Sequence, residues 1–404
     1  MKATRPRLAF YVAFSLLSVL LCSFVFLSFA QTQDPEKQQR PRRVNGADSN
    51  SNSNQKPEEV DENDIVRVET QLVSVPAFVT NITGRPVSGL NKQNFVVFED
   101  GKKQDITNFG TTDAPFEVAL LLDTSGSTRA DVGLIRQAAN AFINSLRPGD
   151  RFAILAFKDR KTADATLATV DVLSPLTDDR KVLGAAIENL GASNGTPFYD
   201  GLTRVAGEIF RETPRPEVRG RRAVVALTDG VDSASATSYE EAKERLLRAG
   251  VACYFIQVNT EDFVEDRLLR DCRDNGRLTL SSRQLERYRR IFAPRSSSED
   301  YANFCQMGQF ERMQISRDLY NLARREMNDL AKASGARNFA ASDLQQARAA
   351  FARVANDIGT QYSLGYYPTN KARDGKYRVI KVAVVGVTEK SDVHAREGYY
   401  APRQ

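Results

Sequence analysis

The chain has little histidine and little cysteine, and this scarcity excludes several kinds of site. Its 404 residues include four cysteines and a single histidine, His394. One histidine cannot supply a histidine-rich zinc or iron centre. The sequence also lacks a P-loop and a Gly-x-Gly-x-x-Gly turn, the usual phosphate-binding loops. We therefore expect a protein without enzymatic activity.

The excess of positive charge is also small, at +5 over the whole chain. Three of the cations precede an apolar run at 8–29 and would leave with a cleaved leader: Lys2, Arg5 and Arg7. The basic and acidic residues that remain are interleaved and nearly balanced. This balance argues against a nucleic-acid partner.

The same N-terminal run indicates export. Basic residues, an apolar stretch and the small residues Ser28 and Ala30 predict that 1–30 is a signal peptide. Because a membrane-spanning helix needs about 20 apolar residues, an uncleaved N-terminal anchor is the alternative. In either case we expect a periplasmic, cell-envelope or secreted protein that meets a membrane only through that anchor.

Of the four cysteines, Cys22 would leave with a cleaved leader, and Cys253 lies inside an apolar run that is typical of a buried strand. The other two, Cys272 and Cys305, stand in a polar, irregular stretch. In an oxidising compartment they are the natural disulfide pair. The alternative is two unpaired surface thiols, since spacing alone does not establish geometry.

The composition changes several times along the chain. Residues 31–63 are polar without an apolar period, which predicts a disordered linker. Short β-like runs follow at 64–112, with an Asp100-Gly101 hairpin signal, and β-like runs return at 361–404. Each group alone has few strands, so we expect the two to form one small β-sandwich that is interrupted by the domain between them.

The intervening segment, 113–360, alternates strand and helix patterns. Four apolar runs predict buried strands, at 116–122, 152–157, 223–227 and 251–258, and five amphipathic patterns predict helices at 131–146, 200–211, 239–249, 318–334 and 343–358. This alternation predicts an α/β open sheet with helices on both faces. The connection at 260–317 is far longer than usual, so we interpret it as a functional insertion.

Oxygen-bearing side chains follow two of the predicted strands. Asp123, Ser125 and Ser127 come after the first strand, Asp229 comes after the strand at 223–227, and Thr196 precedes a helix. Ligands of open α/β sheets bind at the carboxyl ends of strands. These hard oxygen donors suit Mg²⁺ and, less well, Ca²⁺ or Mn²⁺. Taken alone, the Asp-Thr-Ser-Gly-Ser turn could equally be an Asx turn and helix cap without metal.

The pattern D-x-S-x-S, followed by a distant T and D, resembles the metal-ion-dependent adhesion site of the von Willebrand factor A family. The resemblance implies a Rossmann-like open sheet, with Ser125 and Ser127 bound to the metal, Thr196 bound directly or through water, and Asp123 and Asp229 bound largely through water. Three further blocks resemble VWFA-related proteins first noted in Acidobacteria: GLNKQNFVVFEDGKKQ at 89–104, YSLGYYP at 362–368 and REGYYAP at 396–402.

These observations together predict a binding function. The resemblance implies that the cation keeps a position for an Asp or Glu carboxylate presented by a protein or envelope partner. We expect the insertion at 260–317 to help select that partner, because it leaves a strand end on the same rim. A phosphotransfer role for Asp123 is disfavoured, since Ser125 stands where a second acid would be needed. The alternative function is a structural envelope scaffold without metal-dependent binding.

Overall fold

The computed structural model describes residues 72–111, 114–126, 128, 132–145, 147–163, 165–270, 280–302, 304–387 and 390–403, with the side chains of 266–270 left aside. These residues belong to one compact unit, Arg67–Gln404. The predicted leader and linker lie outside the described residues. Within the described part, no helix has the length and apolar character needed to span a membrane.

A six-stranded sheet forms the centre of the α/β region. Its strands are β5 (Glu117–Leu122), β6 (Arg151–Lys161), β7 (Thr166–Thr177), β8 (Arg222–Thr228), β9 (Ala252–Val258) and β10 (Asn338–Ala341), in the order β10-β9-β8-β5-β6-β7. All neighbours are parallel except β7, which runs antiparallel to β6. The four apolar runs expected as strands are confirmed as β5, β6, β8 and β9. The two edge strands escaped prediction, because β10 is short and β7 is mostly half-exposed.

Helices cover both faces of this sheet. They are α1 (Val132–Ser145), α2 (Arg180–Glu188), α3 (Phe198–Arg204), α4 (Tyr239–Arg248), α5 (Glu261–Arg270), α6 (Ser282–Phe292), α7 (Gln309–Ser334) and α8 (Ala347–Gly359). Successive side chains of a strand point to opposite faces. Val118 and Leu120 accordingly pack in the core with α1, α2 and α8, whereas Ala119 and Leu121 pack in the core with α3, α4 and α7. The predicted α/β open sheet with flanking helices is confirmed.

Two helix boundaries differ from the sequence prediction. The helix expected at 200–211 begins at Phe198 and continues after α3 as a π-helical turn, Val205–Ile209. The helix expected from 318 begins at Gln309. Its first turns are largely polar, but Ile315 and Leu319 are buried there against neighbours from the insertion. The extra turns are therefore fixed by packing that the local sequence pattern does not show.

The described part of the insertion at 260–317 is folded, although its sequence is polar and carries no clear apolar period. It contains α5, α6 and the first turns of α7, and these elements enclose a small apolar core of Leu285, Phe304, Met307, Ile315 and Leu319. Val231, from the loop after β8, packs against the same core. Cys272 lies outside the described residues, so its pairing with Cys305 stays a prediction. Cys253 is a buried free thiol in β9, as expected, and burial raises its pKa to about 12.

The segments on either side of the α/β region form two antiparallel sheets. Their strands are β1 (Val73–Asn81), β2 (Phe95–Glu99), β3 (Lys102–Gln104), β4 (Ile106–Gly110), β11 (Tyr362–Tyr366), β12 (Tyr377–Val384), β13 (Ser391–Ala395) and β14 (Gly398–Tyr400). The strand orders are β13-β1-β11-β4 and β14-β12-β2-β3, so each sheet mixes both segments. Val75, Val97, Leu364 and Ile380 share one core between the sheets. The predicted two-part β-sandwich is thereby confirmed.

The last β-like run of the chain, at 393–400, is shared between the two sheets. It divides into β13 and β14, which belong to different sheets. The hairpin signal at Asp100-Gly101 is confirmed between β2 and β3, where the two residues have φ of 47° and 80°. Positive φ at both central positions is typical of a type I′ turn.

Candidate metal centre

The first loop of the candidate site begins where β5 ends. The Asp123 backbone N–H donates to Leu227 O at 3.0 Å and so continues the sheet by one residue. Its carboxylate accepts from Ser125 N–H at 2.9 Å and from the Thr228 hydroxyl at 2.6 Å. Thr128 closes the turn by donating from Oγ1 to Asp123 O at 2.9 Å. The Asp123 side chain is therefore held from two strands, whereas Ser127 lies outside the described residues.

The second carboxylate, Asp229, directly follows β8. One of its oxygens accepts from Val231 N–H at 3.0 Å, and the other accepts from the Thr260 hydroxyl at 2.7 Å. Thr260 follows β9, and its Oγ1 lies 2.8 Å from the hydroxyl oxygen of Tyr320 on α7. Asp229 is thus connected to the insertion and to α7 through a short chain of hydroxyl groups.

The loop that carries Thr196 lies between these two loops. The Thr196 N–H donates to the Ser233 hydroxyl at 2.8 Å, and Ser233 N–H donates back to Thr196 O at 3.0 Å. On its other side, Ser193 N–H donates to Thr124 O at 3.0 Å. Hydrogen bonds therefore join all three predicted loops at the carboxyl rim of the sheet, and Asp123, Ser125, Thr196 and Asp229 are all buried there.

Two further aspartates hold the loops together. The Asp232 carboxylate accepts from the N–H groups of Phe198 and Tyr199 at 2.9 Å and 3.3 Å, at the start of α3. The Asp200 carboxylate accepts from the N–H groups of Ala236 and Thr237 at 3.0 Å and 2.9 Å. Each carboxylate thus belongs to one of the segments 193–201 and 229–237 and accepts hydrogen bonds from the backbone of the other. Burial raises the pKa of Asp232 to about 6.

The electrostatics of the site are set by two buried carboxylates. Burial, followed by the charge of Asp229, raises the pKa of Asp123 to about 7, while the hydrogen bonds from Ser125 and Thr228 act in the opposite direction. The pKa of Tyr320 is raised by burial and by the same Asp229 charge. Like charges held close together in a buried site are costly. A cation at this rim would remove that cost.

The donor set fits a hard divalent cation. Asp123 and Asp229 supply carboxylate oxygens, and Ser125 and Thr196 supply hydroxyl oxygens, which are the ligand types that Mg²⁺ and Ca²⁺ prefer. In the part of the chain that the structure describes, no three His, Cys, Asp or Glu side chains cluster as metal ligands. A cation here would therefore rely on hydroxyl groups as well as on the two acids.

Several residues that shape this rim escaped the sequence reasoning. Thr260 stands just past the carboxyl end of β9, so the same positional rule could have identified it. Ser233 and Tyr320 carry no such signal, because they reach the rim from a loop and from a distant helix. Their positions depend on tertiary packing.

Comparisons with known proteins give one match along the sequence and several among solved structures. Residues 118–231 match the family model described as von Willebrand factor type A domain. A search of curated proteins found no match.

Three solved structures illustrate the structural matches. Proximal thread matrix protein 1 from the mussel byssus has a TM-score of 0.40 and 16% identity over 64% of this chain and 50% of that one. This chain thus spans about half the length of that relative. A von Willebrand factor type A protein from Catenulispora acidiphila has a TM-score of 0.40 and 12% identity over 77% and 74% of the two chains. BatB from Bacteroides thetaiotaomicron has a TM-score of 0.29 and 18% identity over 35% and 66%.

The sequence match includes β5 and β8 together with Asp123, Ser125, Thr196 and Asp229, and it ends two residues after Asp229. It therefore contains, in chain order, the first two loops of the candidate site and the start of the third, which continues to residue 237. Within residues 118–231, the chain is similar to a von Willebrand factor type A domain.

Proposed function

We propose that the protein is an exported adhesion-type binding protein, which captures an acidic group of a protein or envelope partner through a divalent cation. Asp123, Ser125, Ser127, Thr196 and Asp229 would hold that cation, with Mg²⁺ preferred over Ca²⁺ or Mn²⁺. A von Willebrand factor type A domain agrees with this proposal, because such domains commonly bind protein partners and often bind a divalent metal. The proposal includes no catalytic step.

The observation that carries the proposal is the meeting of Asp123 and Asp229 in one buried rim that otherwise offers hydroxyl groups. The charge of Asp229 helps to raise the pKa of Asp123 to about 7. When bound, the cation would neutralise both acids and offer a coordination position to a partner's carboxylate. The residues of this chain fix the donors in advance, through Thr228 on one acid and Thr260 on the other.

Two hydrogen bonds support the proposal that the insertion takes part in partner choice. The Ser281 hydroxyl, at the start of α6, donates to Ser233 O at 2.7 Å, and Arg283 donates to Ala234 O. Both acceptors belong to the loop that also holds Thr196. A partner that approaches the rim would therefore meet α6 beside it, which supports the assignment of selectivity to the insertion.

Export is proposed from the sequence alone. The basic, apolar and small-residue pattern of 1–30 supports a signal peptide, with an N-terminal anchor as the alternative. Periplasmic, cell-envelope and secreted positions are all compatible with capture of an envelope partner.

The proposal is tested by metal-dependent capture. Purified protein should bind Mg²⁺ in calorimetry and retain a partner from envelope extract in Mg²⁺, and EDTA should release that partner. Asp123→Ala should abolish both effects while the fold persists by circular dichroism. Asp105→Asn, at an exposed acid between β3 and β4, is the matched control and should behave like the parent. Capture that survives in EDTA would instead support the scaffold function.

A further inference from the structure

A second cleft lies at the opposite end of the central sheet, where the α/β region meets the β-sandwich. Its volume is about 960 Å³. The outer face of the sheet β13-β1-β11-β4 lines one side with small residues, Ser74, Ser363 and Gly365. The segments that lead into β8 and β9 line the other side, so this cleft is formed at the amino ends of those strands.

The cleft is strongly basic. Six arginines line it against a single acidic residue, Glu212; they are Arg211, Arg215, Arg219, Arg222, Arg248 and Arg396. Glu117 forms ion pairs with Arg222 and Arg215, and Glu244 with Arg248. Among the residues that the structure describes, no carboxylate pairs with the remaining three arginines, which leaves an unbalanced positive wall.

The structure holds Arg219 in place through its backbone. Its carbonyl oxygen accepts from the Ser74 hydroxyl at 2.7 Å and from the Ser363 hydroxyl at 3.1 Å. Its φ of 51° is uncommon for a residue with a side chain. The guanidinium lies against the Cα of Gly110, so closely that a Cβ at that glycine would collide with it. Arg219 is thereby fixed over the end of β4.

Arg396 provides an independent indication of an absent ligand. Its guanidinium carbon lies 5.4 Å from the ring centroid of Tyr399, and its Nε is buried without a hydrogen-bond partner in the described structure. Buried donors are normally satisfied. An acceptor group inside the cleft could reach this side chain, which lines the wall.

The edge of the sandwich completes the cleft. In the described residues β4 pairs with β11 alone and forms one edge of its sheet, and four consecutive residues of it, 107–110, line the cleft. An edge strand offers unpaired N–H and C=O groups to an extended chain. Arginine groups and an open strand edge therefore face the same space.

We propose that this cleft binds an acidic peptide in extended conformation. The peptide would add a strand to β4 and place its carboxylates against Arg211, Arg219 and Arg396. Guanidinium groups bind carboxylates through paired hydrogen bonds, and strand addition supplies backbone hydrogen bonds without regard to sequence. Since the cleft uses the opposite ends of the strands from the candidate metal centre, its binding is independent of divalent cations.

The test uses a short fluorescent peptide of alternating Glu and Val, with fluorescence anisotropy on the full-length chain in EDTA. We expect binding that weakens with added salt, and no binding of the matching Lys and Val peptide. Arg211→Glu with Arg219→Glu should weaken binding about tenfold or more. Arg290→Glu with Arg325→Glu changes the net charge equally at exposed positions outside the cleft and should bind like the parent.

Further outcomes separate this proposal from its competitors. A peptide with N-methylated backbone amides should lose affinity, and equal binding of that peptide would overturn the strand addition. Binding of polygalacturonate without binding of the acidic peptide would overturn the peptide assignment in favour of a polysaccharide. Unchanged binding by the folded double variant would overturn the site itself. If circular dichroism shows that this variant is unfolded, Arg211→Gln provides the same comparison at an exposed position.

Discussion

A buried carboxylate stands at each end of β5, and the two carboxylates have opposite surroundings. Glu117, at its start, lies 3.1 Å from Arg151 and 2.9 Å from Arg222, so the chain itself supplies positive charge. Asp123, just past its end, has hydroxyl and backbone donors and the like charge of Asp229. In the comparison, the chain itself neutralises Glu117, whereas Asp123 is left for the divalent cation that we propose.

The largest effect should follow from removing the acid of the buried ion pair at the start of β5. Glu117→Gln leaves Arg222, which is 5% exposed, buried without its acid. Breaking a buried ion pair from one side costs about 3–5 kcal/mol. We expect a loss of this size in the free energy of unfolding from urea denaturation. Glu212→Gln, at an exposed acid of the nearby cleft, should change the free energy of unfolding little. Equal effects of the two variants would contradict a stabilising role for the ion pairs of Glu117.

The second largest effect should come from adding the divalent cation that we propose. At about one hundred times its Kd, Mg²⁺ should raise the free energy of unfolding by about 2.7 kcal/mol. Asp229→Asn should lose most of this gain, because one of the two acids is gone. Thermal melts with and without EDTA measure it. Equal Mg²⁺ stabilisation of the parent and of the variant would place the cation elsewhere.

Substitution of two glycines tests how rigid the chain is on either side of β8. Gly220 has φ of 74°, and a Cβ there would lie 2.6 Å from Ser74 Oγ and 2.9 Å from Ser74 Cβ on β1. Gly230 has φ of 78°, and its Cβ would meet the flexible end of Met327. Strained backbone of this kind costs about 1–3 kcal/mol. We expect Gly220→Ala to lower the melting temperature more than Gly230→Ala, because a strand yields less than a methionine methyl; the reverse order would contradict this.

The smallest effect concerns pH. Burial and the charge of Asp229 raise the pKa of Asp123 in the folded chain from its ordinary value of 3.8 to about 7, so the test is made in EDTA. A raised pKa contributes stability that is complete below the ordinary value and is lost as pH rises through the folded value. Between pH 6 and pH 8 we expect the parent to lose about 1.4 kcal/mol relative to Asp123→Asn. Urea denaturation at both pH values measures this difference, and saturating Mg²⁺ should abolish it.

Local sequence patterns predicted the buried strands of the central sheet and the two acids that follow them. Buried parallel strands are continuous apolar runs, so β5, β6, β8 and β9 were visible, and the position of Asp123 and Asp229 after such runs placed both acids at one rim. The folded insertion was invisible, because its small core joins Leu285 and Phe304 to Ile315 across polar sequence. The arginine cleft was invisible for a related reason: it exists only where the two-part sandwich meets the α/β region.

The shared construction of the sandwich has a consequence for how the chain is made. Tyr366 donates to Glu99 across a sequence separation of 267 residues, and β1 takes both of its neighbours, β11 and β13, from the far end of the chain. Strand β1 thus lacks both neighbours, and β2 lacks its neighbour β12, until the whole α/β region has been synthesised. Because such distant pairings form slowly and leave strand edges open meanwhile, biogenesis should depend on a factor that shields the newly made N-terminal strands from aggregation.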